Sequence, residues 1–258
     1  MKKHILSILL KSLFIFLLII PTSLAAQESR FTKNLLDDNG LKQGLWSETN
    51  GSKKEQGKYV DSVKEGQWVR FNEKGSIKKI ENYANGKLDG FVIIIDNRGY
   101  IQKSTSYIDG IKDGKELEFT YGGRITGQKT WTEGLLNGKV EIFYDNGKIQ
   151  EKGMYFKGKR NGKTKWYDYD GKMIAEYQYK EGSMEGDQRS FYPSGELKSI
   201  ESYENNLPEG EKIEYYSNGQ IKLKGGNKNG LKEGEWIEYD EKGSQTNVLM
   251  YKKGELKK

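Results

Sequence analysis

The sequence predicts an all-β protein: an elongated single-layer antiparallel β-meander of about nine 24-residue hairpin repeats. Three observations carry this. Glycine stands at 66, 90, 114, 138, 162, 186, 210 and 234, every interval being 24, with Gly44 ahead of them. Aromatic and branched residues keep the same step, in short runs between the glycines. No stretch beyond the leader offers ~10–12 residues of helical periodicity free of glycine.

The elements follow in chain order. Residues 1–25 have the layout of a secretory signal peptide, with Lys2 and Lys3 at the start, an apolar run from Leu13 to Ile20, and Ser23-Leu24-Ala25 before the expected cut. No Cys stands near the cut, so a lipoprotein is not expected. Residues 26–39 read as a linker and lead-in strand, and residues 40–258 as the repeat array.

Within a repeat, position zero is the first glycine. A second glycine falls at position 9, from Gly75 through Gly243, and a third at position 20, from Gly86 to Gly254, with Asn206 once in its place. Position 8 holds residues such as Lys74, Arg98 and Ser194, which resist positive φ. That predicts a three-residue loop, a type I turn followed by a left-handed glycine at position 9. Position 5 (Phe71, Phe143, Phe191) then lies opposite position 11 (Ile77, Ile149, Leu197). Positions 5, 11 and 17, the last mostly Tyr, are the expected core columns. Trp46, Trp68 and Trp236 at position 2 point to the other face and are expected to cap the ends by packing, with ligand contact as the alternative. Gly147→Val is expected to cost more than Gly153→Val, since only Gly147 sits in the turn.

Composition removes much chemistry. The chain has no Cys and one His, His4, which lies in the leader. No Ser-His-Asp or Cys-His machinery, thiolate metal site or disulfide is expected beyond it, and no cofactor or catalytic residue. The formal charge of +6 falls to +3 once three leader lysines are set aside (40 basic against 37 acidic), which argues against nucleic acid.

Tempting motifs coincide with turns. Gly158 to Thr164 is one residue short of a phosphate-binding loop. Asp168-Tyr169-Asp170-Gly171 lacks the later ligands of a calcium loop. Glu116 and Glu118 are expected on a solvated strand face. The candidate partner-binding face is aromatic: Trp46, Trp68, Tyr144, Trp166, Tyr192 and Tyr216.

The string Gly-x-Trp-x-x-Phe-x-x-x-Gly-x-Ile-x5-Tyr-x-x-Gly-x-x-x-Gly, complete in Gly66 to Gly90, resembles the MORN-variant repeat found in bacterial proteins of the YwqK antitoxin family. The resemblance implies a β-hairpin array used for protein contacts and, in some eukaryotic members, membrane lipids. The expected function is an exported, non-enzymatic scaffold that binds a protein partner in the periplasm, at the cell surface or outside the cell. The alternatives are a glycan or cell-envelope module using an aromatic ladder, a contact with anionic lipid, and a toxin-neutralising partner.

Overall fold

The computed structural model describes residues 33–51 and 53–257. The expected signal peptide lies outside them. Among the described residues there is no helix, and 23 strands form one open antiparallel sheet in which strands close together in the chain pair. The lead-in strand β1 (Leu35–Leu36) pairs with β2 (Lys42–Asn50), and the meander runs on through β3 (Lys53–Val60), β4 (Val63–Phe71) and β5 (Ile77–Ala84).

The first turn of each repeat is the one the glycines require. The Asn72 N–H donates to Ser76 O at 2.8 Å, and the Gly75 N–H donates to Asn72 O at 2.9 Å. The eight position 9 glycines from Gly75 to Gly243 have φ between 79° and 104°. Phe71 lies opposite Ile77, Phe143 opposite Ile149 and Phe191 opposite Leu197, as expected. The second turn is a two-residue loop with positive φ at positions 19 and 20, for example Asn85 at 49° and Gly86 at 78°. That is the type I′ turn whose twist matches a tight hairpin. Its position 19 N–H is held by a side chain from the preceding repeat: Asn85 N donates to Glu65, Asn205 N to Glu185 and Asn229 N to Glu209. Both turns therefore follow from local chemistry, and the second also ties repeats together.

The core is narrower than the expected columns, and its centre lies elsewhere. Positions 5, 11 and 17 are mostly half-buried, and Ile101 and Ile125 at position 11 are exposed. The fully covered side chains are at position 2: Trp68 and Thr164 at 0% exposure, Trp236 and Glu116 at 2%. Each stands beside position 15 of the adjoining strands. Register gives the order Val92, Thr105, Glu116, Lys129, Val140, Gly153, each opposite the next. This is one ladder down the middle of one face, at ~4.8 Å per rung. A central rung is walled by neighbours on four sides, so even a single layer buries it.

Two consequences correct the sequence reading. Glu116 is not on a solvated face. It sits in the ladder against Lys103 at 2.9 Å, Lys112 at 2.8 Å and Lys129 at 3.6 Å. Charge alternation that reads as surface is here a buried carboxylate whose partners reach out to water. Gly153 is also constrained. It is buried in the ladder, and a Cβ there would meet Thr164 Oγ1 at 2.9 Å, whereas at Gly147 the nearest atom is Arg124 Cδ at 3.7 Å.

The opposite face has its own ladder, at positions 3 and 14. It is apolar over Val69, Ile80 and Ile93, charged over Glu141, Lys152, Lys165, Glu176 and Arg189, and apolar again at Ile200 and Ile213. Glu141 and Glu176 are buried there. Glu176 is held by Lys163 at 2.8 Å and Lys165 at 3.0 Å.

Candidate functional site

The six aromatic residues of the expected binding face do not share one surface. Trp68 has no exposed area, because it lies across Gly57, where a Cβ would come within 2.2 Å of its ring. Its Nε1 donates to Lys58 O at 3.1 Å, Lys64 Nζ stands 3.8 Å from its ring centroid, and Tyr59 meets it edge-on at 4.8 Å. Trp68 is therefore core and offers nothing to a partner. Trp46 is half-buried at the N-terminal end, where its Nε1 donates to Gln43 O and Tyr59 packs against it at 5.9 Å. Burial, then the Glu48 carboxylate, push the Tyr59 hydroxyl up to about 12. Trp166 is half-buried on the same face as the core ladder, with its Nε1 on Glu151 Oε2 at 3.2 Å and its ring at 5.0 Å from Tyr177.

Tyr144, Tyr192 and Tyr216, all at position 6, act as clasps. Their hydroxyls donate to the backbone oxygens of Tyr167, Tyr215 and Tyr239 in the following repeats, at 2.9, 2.6 and 2.8 Å. Where position 6 is instead Asn72, Asp96 or Asp240, the side chain caps its own turn, as when Asp96 Oδ1 accepts from the N–H groups of Arg98 and Tyr100. Asn146 and Asn218 at position 8 take over both jobs beside Tyr144 and Tyr216. Each caps its turn with Oδ1 and donates through Nδ2 to the next repeat. The alternation Asx-x-x-Gly against Tyr-x-Asn-Gly is visible in the sequence, and the division of labour behind it needs the structure.

The surface that sequence reasoning missed lies along the type I′ edge, at positions 18 and 21. Val60 pairs with Val63 and Ile108 with Ile111, and Leu135, Phe156, Leu207 and Leu231 stand at the same positions opposite Thr132, Lys159, Glu204 and Lys228. All are exposed, Ile108 at 54% and Ile111 at 51%. Strand alternation places them on the face opposite the core ladder. Their signal was present as apolar residues flanking the glycine at position 20, where they read as ordinary strand ends. On the other long edge, the exposed rings of Tyr100 and Tyr121 lie 4.5 Å apart, with the Arg98 guanidinium 4.8 Å from the Tyr121 ring.

Comparison with known proteins bears on the repeat. The model described as "MORN repeat variant" matches residues 64–88, 136–157, 160–181, 184–205 and 208–226. No curated protein matches the chain. Among solved structures, a glycosylation-associated protein complex from Streptococcus agalactiae is 20% identical over 44% of this chain with a TM-score of 0.27, and the Photorhabdus luminescens Tc holotoxin pore is 13% identical over 78% with a TM-score of 0.18. The chain spans 22% and 15% of those two chains, and at such scores neither likeness carries an argument. The five matched stretches all fall on the 24-residue register that the glycines mark and the sheet follows, and over them the chain is similar to the MORN repeat variant.

Proposed function

We propose that the protein is an exported, non-enzymatic scaffold that binds a protein partner in the periplasm, at the cell surface or outside the cell. The observation that carries the reading is the apolar line at positions 18 and 21. Large apolar side chains exposed along one edge mark contact surfaces more often than chance. Because apolar residues return at these positions in several repeats, with Lys87, Lys159 and Lys180 among them, a partner laid along the edge can reach the ~1,200–2,000 Å² of a stable interface, which one hairpin cannot supply. Of the aromatic candidates, Trp166 lies on the other face from this strip, the hydroxyls of Tyr144, Tyr192 and Tyr216 are committed to the next repeat, Trp46 stays at the N-terminal end, and Trp68 drops out.

A second reading, a cell-envelope glycan module, is favoured by the exposed Tyr100 and Tyr121 pair, since open ring faces suit sugar rings. The toxin-neutralising role of YwqK-type proteins rests on the repeat resemblance. The test is affinity capture from an envelope extract with the wild-type chain and an Ile108→Ser, Ile111→Ser, Phe156→Ser variant. A protein retained by the first and lost from the second supports the scaffold. Equal retention refutes the strip as the contact, and capture of glycan alone favours the second reading.

A further inference from the structure

A cleft of about 720 Å³ opens beside the first turns of the array, away from the apolar strip. Its lining holds five cations, Lys53, Arg70, Lys74, Lys78 and Lys79, against one carboxylate, Glu73. Arg70 and Lys79 are already committed. Arg70 binds Glu55 at 3.2 Å and Glu81 at 3.4 Å, and Lys79 binds Glu81 at 2.6 Å. Lys78 Nζ has only the neutral Asn97 Oδ1, at 2.9 Å. Lys53 and Lys74 have no ion-pair partner among the described residues, and both are exposed at the rim. Three lysines with no ion-pair partner thus border one concavity with the single Glu73 carboxylate, leaving a net positive charge there. Phe71 and Ile94 line it too. The volume falls in the ~300–1,000 Å³ range of small-molecule sites.

We propose that this cleft binds an oligoanion whose phosphate or sulfate groups are carried on a sugar-sized ring. Lys53, Lys74 and Lys78 would neutralise the anionic groups, and Phe71 with Ile94 would pack against the ring. The inference is independent of the protein-binding strip, which lies at the other turns of the repeat.

The test is isothermal titration of the full chain with sucrose octasulfate and, separately, with tripolyphosphate, at two salt concentrations. The expected result is one-to-one binding of the octasulfate that weakens with salt and exceeds tripolyphosphate binding at least tenfold. Lys53→Ser, Lys74→Ser, Lys78→Ser should weaken it at least tenfold. The remote variant Lys180→Ser, Lys228→Ser, Lys252→Ser, which removes the same charge, should leave it unchanged. If the cleft variant fails to fold, Lys74→Ser alone, at an exposed turn position, carries the comparison with an expected loss of at least threefold. Absence of binding, equal weakening by the remote variant, or equal affinity for tripolyphosphate would overturn the assignment. So would binding only to anionic lipid vesicles.

Discussion

Trp68 and Glu116 occupy the same slot two repeats apart, and both are sealed from water. One is the most apolar large side chain and the other a carboxylate. The slot is buried by register: it is the middle of a strand, in the middle of a face, with a rung above and below. What differs is how the neighbours accommodate the occupant. Trp68 spreads over Gly57, whose missing side chain provides the floor for the ring, and Trp236 repeats the arrangement over Gly225. Glu116 instead draws in Lys103, Lys112 and Lys129, each about one-third exposed, so the pairing charges keep contact with water. A repeat protein can therefore vary a buried position widely, provided that the neighbouring rungs change with it.

The largest expected effect breaks the tryptophan solution. Gly57→Val should cost about 3–5 kcal/mol, because a Cβ 2.2 Å from the ring forces Trp68 out of the ladder. Adding Trp68→Val should do no further harm, and denaturant midpoints of the single and double variants would show this. Additive losses would mean that the two residues do not share one site.

Glu116→Gln should come next, at about 1–3 kcal/mol, less than a fully buried pair because its lysines reach water. Burial opposes the charge of Glu116, but Lys112 and Lys103 outweigh it and hold the carboxyl below the usual carboxylate range. Its folded value thus lies below its unfolded one. The stabilisation is present above the unfolded value and is lost as pH falls through the lowered folded value. Thermal melts of wild type and Glu116→Gln should diverge at neutral pH and converge in acid, and a constant gap would contradict the ion-pair account.

Effects of comparable size separate the two kinds of glycine. Gly147→Val should cost about 1–3 kcal/mol through backbone strain at its φ of 84°. Gly153→Val should cost a similar amount, about 1–3 kcal/mol, by overpacking against Thr164. Thr164→Ala should recover part of the second loss and none of the first, as read by urea midpoints. Rescue of both, or of neither, would undo the distinction.

Much of this was legible beforehand for a physical reason. A left-handed glycine at position 9 is a local requirement of the chain, and so is the cross-strand pair of Phe71 with Ile77 that the turn length imposes. The candidate site was less legible. Tyr144, Tyr192 and Tyr216 look like free rings until the next repeat's carbonyl is in place to receive each hydroxyl. The exposed pair of Ile108 and Ile111 looks like any strand end until the strands are stacked.

The sequence by itself determined the repeat length, both turn positions and the antiparallel hairpin, because each depends on backbone torsions and near neighbours in the chain. Only the tertiary structure decided that position 2 rather than position 5 forms the sealed ladder, that Glu116 is inside and Ile108 outside, and that three lysines face one cleft. Those outcomes depend on which strand lies beside which and on how many rungs flank a given side chain, and residues on neighbouring strands, such as Thr105 and Lys129 beside Glu116, set them.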